Sequence, residues 1–317
     1  MQTARRTALG FATLARNGSG EPRFGLSGGS RTRIRDVEAG TTALLFPGQG
    51  SQTGQLLDSV WALAPELAAR AVVEVGADPF KRAEHGTRFL QPAVYCASIA
   101  SWMRLGRPKP RFVAGHSMGE FAALAVAGSF SVEEGLRLVS LRGRLMQRAV
   151  ENAPAGGMIA VSGLSERAVQ ALSRRHGLKI AADNAPDQAV LTGESVALGA
   201  AVADATEQGA RCTRLAVPGS FHSESLASAL EEFAAALEDT DIRPPRLGAF
   251  CCTTGRQFDD VRARLLDGFI KRVEWRETLL ALHRAGARQF VDVGPGNHLA
   301  RLVRRTLPGA HVATASH

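Results

Sequence analysis

Short apolar runs alternate with longer segments of helical periodicity from Thr41 onward. This alternation predicts an α/β fold with a mainly parallel sheet, because each run is followed by turn residues and then by a helix-like segment. The predicted strands are TALLF (42–46), RFVAG (111–115), CTRLAV (212–217), GAFCC (248–252) and QFVDV (289–293). Ligand sites in such sheets lie at the carboxyl ends of the strands, so we expect the chemistry directly after these runs.

A different pattern occupies the middle of the chain. It consists of MIAVSGL, a helix from Glu166 to Gly177, the short strands KIAADN and QAVLTG, a helix from Ala197 to Gly209 and a strand at Cys212. That order predicts a small βαββαβ subdomain inserted into the larger one. We expect residues 41–157 and 212–310 to form the large subdomain and residues 158–211 the small one, with the ligand pocket in the cleft between them.

The first 40 residues are rich in Gly, Ser and Arg and have no apolar periodicity, so they predict a disordered basic extension. Seven arginines against three acidic residues leave +4 there, which is half of the chain's formal charge of +8. No basic stripe interleaved with aromatic residues accompanies this charge, so we expect no nucleic-acid partner. We expect a cytoplasmic protein, although an Arg-rich, acid-poor start is also typical of an organelle transit peptide.

Composition excludes several classes of protein. With 45% hydrophobic and 21% charged residues, the chain is an ordinary globular protein rather than a disordered or fibrous one. Its four cysteines, two of them adjacent at Cys251 and Cys252, fit neither a metal-ligand spacing nor a secreted disulfide framework. The longest apolar runs, such as FAALAVAG at 121–128, fall well short of the roughly 20 residues that cross a bilayer. We therefore expect no metal and no membrane contact.

The segment VAGHSMGE contains the pattern G-x-S-x-G at Gly115, Ser117 and Gly119, between a predicted strand and a predicted helix. This arrangement is typical of a nucleophile elbow, a tight turn that exposes the serine hydroxyl. The backbone N–H of Met118, at the start of the helix, would point toward a developing oxyanion. The sequence therefore predicts Ser117 as a nucleophile.

A serine nucleophile needs a base, and the chain has eight histidines. We choose His222, because it follows the strand ending at Val217 and precedes a helix that Ser223 can cap. His116, inside the elbow, is interpreted as a packing or hydrogen-bonding residue. The role of His298, which opens the last helix near the same sheet edge, is left open.

Arg142 lies on the apolar stripe of a helix that begins with a capping box from Ser131 to Glu134. A guanidinium on a core-facing stripe needs an anionic partner, because an unpaired buried charge is costly. Two interpretations stay open. Arg142 forms a structural salt bridge, for example with Glu120 or Glu134, or it is a bidentate clamp for a substrate carboxylate.

The segment FPGQGSQ (46–52) follows the first predicted strand. Gly48 and Gly50 would let the backbone approach a ligand, so the N–H of Gln49 could supply a second oxyanion donor opposite that of Met118. No nucleotide-binding fingerprint accompanies this loop, which disfavours a nucleotide cofactor.

Taken together, several motifs in chain order resemble the malonyl-CoA:acyl-carrier-protein transacylase family, including the trans-acting acyltransferases of polyketide synthases. These motifs are FPGQGSQ, QPA (91–93), GHSMGE, LRGRLMQ, NAPDQAVLTG, GSFHS and VDVGPG, and they cover about residues 42–306. The resemblance implies a hydrolase-like parallel-sheet core with an inserted ferredoxin-like subdomain. It implies Ser117 as the acylated nucleophile, His222 as the base, Arg142 as the carboxylate clamp, and Gln49 with Met118 as the oxyanion hole.

The family's activity implies a ping-pong transfer of malonyl from malonyl-CoA to the phosphopantetheine thiol of an acyl carrier protein, with no cofactor and by a monomer. Asn184 matches an asparagine near the active-site cleft, and Phe221 resembles the malonyl-selecting version of its motif. Similar sequences place a glutamine where this chain has Gly268, and its backbone carbonyl is expected to orient the histidine.

Three alternatives remain at this stage. A hydrolase that strips acyl groups from carrier proteins would keep Ser117 and His222 but would have little use for Arg142, so the arginine favours transfer. A substituted malonyl unit could replace malonyl. A non-catalytic interaction module would not need Ser117 at all. The sequence does not distinguish fatty-acid, polyketide and malonate-decarboxylation pathways.

Overall fold

The structure is a computed structural model that describes residues 40–50, 54–217 and 219–315. The predicted basic extension therefore lies outside the described residues, apart from Gly40. The strands are β1 (Thr42–Phe46), β2 (Phe112–Gly115), β3 (Gly156–Ser162), β4 (Lys179–Ala185), β5 (Gln188–Glu194), β6 (Arg211–Arg214), β7 (Gly248–Cys251), β8 (Arg256–Gln257), β9 (Gln289–Asp292) and β10 (His311–Thr314).

The helices connect these strands in the alternating order that the sequence predicts. They are α1 (Gly54–Leu63), α2 (Pro65–Val75), α3 (Thr87–Arg104), α4 (Gly119–Ala127), α5 (Val132–Glu151), α6 (Glu166–Arg175), α7 (Ser195–Glu207), α8 (Leu230–Glu238), α9 (Val261–Ile270), α10 (Trp275–Arg284) and α11 (His298–Thr306). Among the described residues, none of these helices combines the length and apolar character needed to span a bilayer.

The larger sheet has six strands in the order β10-β9-β1-β2-β7-β8, all parallel except for the β7–β8 pair. Every residue of β1 is buried, as expected for the central strand of a parallel sheet covered on both faces. The predicted strands at 42–46, 111–115, 248–252 and 289–293 are confirmed. The fold is therefore mixed α/β with a parallel sheet.

The smaller sheet has four antiparallel strands in the order β4-β5-β3-β6, joined in the predicted βαββαβ sequence. One face packs on α6 and α7 through residues such as Ile159, Leu172 and Leu198. The other face presents Met158, among others, to a cavity. Both sheets belong to one compact unit, so the division into subdomains stays a prediction.

The strand before His222 is expected both in the large sheet, as CTRLAV (212–217), and at Cys212 as the closing strand of the βαββαβ unit. It ends at Arg214 and pairs antiparallel with β3, so the second expectation is confirmed and the first is wrong. The helix after His222 is a 3₁₀ helix, Glu224–Ala229, and the Ser223 hydroxyl donates to the Ser220 carbonyl at 2.7 Å instead of capping it. Sequence patterns also missed β8 and β10, because short, partly exposed edge strands carry little apolar signal.

Three adjacent strands of the large sheet position the site. β9, β1 and β2 run parallel side by side, so their carboxyl ends meet at one edge. These ends lead into residues 293–298, 47–50 and 116–119.

Candidate active site

Ser117 lies at the end of β2 with a backbone φ of 52°, a left-handed conformation that is strained for a non-glycine residue. The turn is possible only because its flanks are glycine. A Cβ at Gly115 would lie 2.0 Å from the Gly119 carbonyl carbon, and one at Gly119 would lie 2.1 Å from the Phe46 carbonyl oxygen. The structure thus has the strand-turn-helix geometry of a nucleophile elbow.

His222 lies beside the serine. Its Nε2 is 2.9 Å from Ser117 Oγ, and its Nδ1 is 3.0 Å from the carbonyl oxygen of Lys271. Because a carbonyl can only accept, Nδ1 carries the proton and Nε2 is left as the acceptor for the serine hydroxyl. Burial, together with the positive charge of Arg142 and the neighbouring His116, lowers the pKa of His222 to about 3, so its imidazole is neutral near pH 7.

The carbonyl that orients the histidine is not the expected one. The Lys271 carbonyl accepts from His222, whereas the Gly268 carbonyl accepts from Arg142 Nη2 at 3.0 Å. Both carbonyls come from the C-terminal end of α9, where helix carbonyls have no intrahelical partner. The negative end of the helix dipole favours a cation at this place.

Arg142 is buried, with 2% of its surface exposed, directly beneath the serine. Its Nη1 donates to Gln91 Oε1 at 2.9 Å, its Nη2 lies 3.4 Å from Ser117 Oγ, and the guanidinium stacks on the Phe269 ring at 5.1 Å from the centroid. Burial lowers the pKa of Arg142 to about 10, which still leaves it charged at neutral pH.

The interpretation of Arg142 as a salt-bridge residue is wrong. In the described part of the chain no carboxylate oxygen lies within 4.0 Å of its guanidinium, whose partners are all neutral oxygens. Glu134 instead closes the predicted capping box with the backbone N–H of Ser131, at 3.1 Å. Arg142 thus keeps an unneutralised positive charge next to the nucleophile.

Glu120 is a buried carboxyl group that the sequence reasoning considered only as a salt-bridge partner. Its Oε1 accepts the backbone N–H of Cys252 at 2.7 Å. Burial raises its pKa to about 7, and the charge of Arg142 is among the influences that oppose this rise. Since the two groups are not in contact, Glu120 acts on Arg142 only through the electrostatic field.

The loop after β1 is connected to the arginine through Gln91. Gln49 Oε1 accepts from Thr87 Oγ1 at 2.8 Å and from Gln91 Nε2 at 3.2 Å, while Gln91 Oε1 accepts from Arg142. Gln91 is fully buried. It belongs to the QPA motif, but its position between loop and arginine could not be predicted, because three separate elements meet there.

A cavity of about 350 Å³ opens in front of the serine. Its walls include Ser117, His222, Gln49, Asn184, Phe221 and His298. His116 is also part of the wall, and it makes the hydrogen bond and the packing contact expected of it: its Nε2 is 2.9 Å from Asn184 Oδ1 and its ring packs edge-on against Trp275. Met118 is the N-cap of α4, where a backbone N–H lacks an intrahelical partner.

This arrangement can form an acyl-enzyme. A serine hydroxyl hydrogen-bonds a neutral imidazole that can accept its proton, and a positive charge without a carboxylate partner lies beside the same oxygen. An acyl group that carries its own carboxylate would complete the site.

Comparison with known proteins agrees with this chemistry. A family model described as "Acyl transferase domain" matches residues 44–316. The polyketide biosynthesis protein ThaF of Burkholderia thailandensis is 37% identical over 84% of this chain, and the matched part is 24% of ThaF. The chain thus spans about a quarter of the length of this relative. It spans still less of two other similar proteins, a phenolphthiocerol synthesis polyketide synthase of Mycobacterium marinum (15%) and the mycoketide-CoA synthase of Mycobacterium tuberculosis (7%).

Other relatives match almost from end to end. The polyketide biosynthesis malonyl CoA-acyl carrier protein transacylase PksC of Bacillus subtilis is 33% identical over 82% of this chain and 95% of its own length. The crystal structure of the malonyl-CoA:acyl carrier protein transacylase FabD of Xanthomonas oryzae superposes with a TM-score of 0.80. It is 29% identical, with 86% of this chain and 94% of that chain covered.

Proposed function

We propose, for a chain that belongs to the acyl transferase domain family, that it transfers a malonyl group from malonyl-CoA to the phosphopantetheine thiol of an acyl carrier protein. The names of the relatives that match almost from end to end support this substrate pair. The observation that carries the proposal is the position of Arg142 Nη2, 3.4 Å from Ser117 Oγ and without a carboxylate partner among the described residues.

The first half-reaction acylates Ser117. His222 Nε2 takes the hydroxyl proton while the serine oxygen attacks the thioester carbonyl. The oxyanion that forms is stabilised by the backbone N–H groups of Met118 and Gln49, and the CoA sulfur leaves with the proton from His222. In the second half-reaction the carrier thiol attacks the malonyl-enzyme by the same steps in reverse.

Arg142 selects the acyl group. One N–H of Nη2 keeps its bond to the Gly268 carbonyl and Nη1 keeps its bond to Gln91, which together hold the guanidinium plane. The other N–H of Nη2 donates to the malonyl carboxylate instead of to Ser117 Oγ. An acetyl group offers no anion, so its entry would leave the buried charge unpaired. Phe221, buried in the cavity wall, crowds the α-carbon and favours malonyl over a branched unit.

The proposal contains no cofactor and no metal, because Ser117 and His222 carry every proton and acyl transfer. Asn184 lines the cavity as a substrate-binding residue, and its hydrogen bond to His116 holds its side chain there. Action as a monomer in the cytoplasm stays a prediction.

Intact-mass spectrometry tests the function. The wild-type protein should gain one malonyl group from malonyl-CoA, and Ser117→Ala should gain none. Adding a carrier protein should move the label to the carrier. Free malonate released as fast as the carrier is acylated would instead support the hydrolase, and a preference for a branched acyl-CoA in a panel of donors would support the substituted unit. Activity in cells that survives Ser117→Ala would support the non-catalytic module.

A further inference from the structure

His298 lines the same cavity as Ser117 and Gln49. Ser117 follows β2 and Gln49 follows β1, whereas His298 is reached from the end of β9. It is the first residue of α11, directly after the loop that follows β9. That loop packs on the loop after β1: the Val293 N–H donates to the Leu45 carbonyl at 2.7 Å, and a Cβ at Gly294 would lie 2.3 Å from Pro47 Cγ. The imidazole therefore stands on the side of the cavity that holds Gln49.

The first turn of α11 is held in place from below. Asp292 is buried at the end of β9, and its Oδ2 accepts the backbone N–H of Ala300 at 3.0 Å. This bond satisfies one of the N–H groups of the first turn that have no intrahelical partner, so it orients the start of the helix. His298 thus has a defined place in the wall rather than a position on a free loop.

The His298 imidazole has no hydrogen-bond partner among the residues that the structure describes, although it is half-buried. Burial, and to a lesser degree the neighbouring His116, lowers its pKa to about 4, so the ring is neutral near pH 7. A neutral imidazole has one donor and one acceptor nitrogen, and no other described residue engages either of them, so both are able to bind a ligand in the cavity. Such a group is suited to a polar, uncharged ligand.

The position of His298 in the cavity indicates which part of the substrate it contacts. Arg142 is buried beneath Ser117 and is not part of the cavity wall, whereas His298 is. The acid end of the acyl group therefore belongs below the serine, at Arg142. The rest of the substrate, the arm that carries the sulfur, then occupies the open cavity that His298 lines.

We propose that His298 hydrogen-bonds an amide group of the pantetheine arm, which malonyl-CoA and the carrier protein have in common. This inference rests on the proposed function. It assigns to His298 a binding role for both half-reactions and no role in proton transfer.

The test compares donors with and without amides. His298→Val should raise KM for malonyl-CoA and for the holo carrier protein about threefold to tenfold, the loss expected for one hydrogen bond to an uncharged group. It should leave kcat/KM unchanged for the ethyl thioester of malonate, which has no amide. His298→Gln, which keeps a donor and an acceptor, should restore part of the affinity, and the exposed His85→Asn serves as a matched control.

Several outcomes would overturn the inference. Equal losses with malonyl-CoA and with the ethyl thioester, in both His298→Val and His298→Gln, would place His298 in the chemistry or in the fold rather than on the arm. Unchanged KM for both natural substrates would remove any binding role. Failure of the proposed function is seen separately, because the wild-type protein would then not become malonylated at Ser117.

Discussion

Replacing Arg142 by alanine removes the only charge that lies next to Ser117 Oγ among the described residues. In wild type the guanidinium donates to three neutral oxygens, so its charge is not neutralised by contact. A malonyl carboxylate would supply that neutralisation, whereas acetyl would not. The substitution should therefore change selectivity between the two acyl groups, in addition to lowering the rate.

The magnitude follows from the hydrogen bonds. Two charge-assisted bonds to a carboxylate are worth about 3–5 kcal/mol, and part of this is offset because Arg142 gives up its present contact with Ser117. A net loss of about 2–4 kcal/mol corresponds to a decrease of roughly 30-fold to 1000-fold in kcat/KM for malonyl-CoA. Acetyl-CoA should become a better substrate, since its entry no longer buries an unpaired cation.

The assay measures kcat/KM for the acylation of a carrier protein with malonyl-CoA and with acetyl-CoA as separate donors. Arg144→Ala is the matched control, because this exposed arginine lies two residues away on the same helix, α5. Arg142→Lys keeps the positive charge but not the planar, two-pronged guanidinium, so its ratio of kcat/KM for malonyl-CoA to kcat/KM for acetyl-CoA should lie between those of wild type and Arg142→Ala. A malonyl-to-acetyl ratio that is the same in wild type and Arg142→Ala would refute the role of the clamp.

Three further predictions concern the surroundings of the site. Gly115→Ala should lower the free energy of unfolding by at least about 3 kcal/mol in chemical denaturation, because its Cβ would overlap the backbone of Gly119. Gly199 lies within α7, and a Cβ added there would contact no other atom, so Gly199→Ala should instead raise the free energy of unfolding by about 0.5–1 kcal/mol. Equal changes in the free energy of unfolding for the two variants would contradict the steric argument. Burial raises the pKa of Glu120 to about 7 from 4.5, so its contribution to stability is present below pH 4.5 and is lost as the pH rises through 7. The free energy of unfolding of Glu120→Gln should therefore rise relative to that of wild type by about 2–3 kcal/mol between pH 5 and pH 8. A difference between the two proteins that does not change with pH would show that the pKa of Glu120 is not raised. Because the pKa of His222 is lowered to about 3, kcat/KM for malonyl-CoA should show no inflection near the ordinary histidine value of about 6.5; an inflection there would contradict a neutral base.

Local features of the sequence were sufficient to predict the nucleophile elbow and the helix that carries Arg142. The elbow is recognisable from the spacing of Gly115, Ser117 and Gly119. The steric demand at Gly115 is local, because its Cβ would meet Gly119, whereas the demand at Gly119 comes from Phe46 on the neighbouring strand. The capping box at Ser131 and the apolar stripe of α5 likewise act within single turns. The alternating pattern was sufficient for the fold class, because strands buried on both faces carry a strong apolar signal.

Contacts between distant segments were not predictable in the same way. His222 was selected because a strand of the large sheet was expected before it, and that strand belongs to the smaller sheet, although the structure does place His222 beside Ser117. A backbone carbonyl such as that of Lys271 has no residue-type signal. Glu120 is part of the GHSMGE motif, yet its environment depends on Cys252, 132 residues later in the chain.

The end of α9 has a consequence for how this protein tolerates mutation. Main-chain oxygens at positions 268 and 271 hold the arginine and the histidine, and no change of side chain at Lys271 can delete them. The type of residue at position 271 is therefore free to drift, while an insertion or a proline that altered the path of this turn would disable proton transfer and acyl selection in one event. Among related proteins, the residue types at positions 268–271 should therefore vary, whereas insertions and deletions in this segment should be rare.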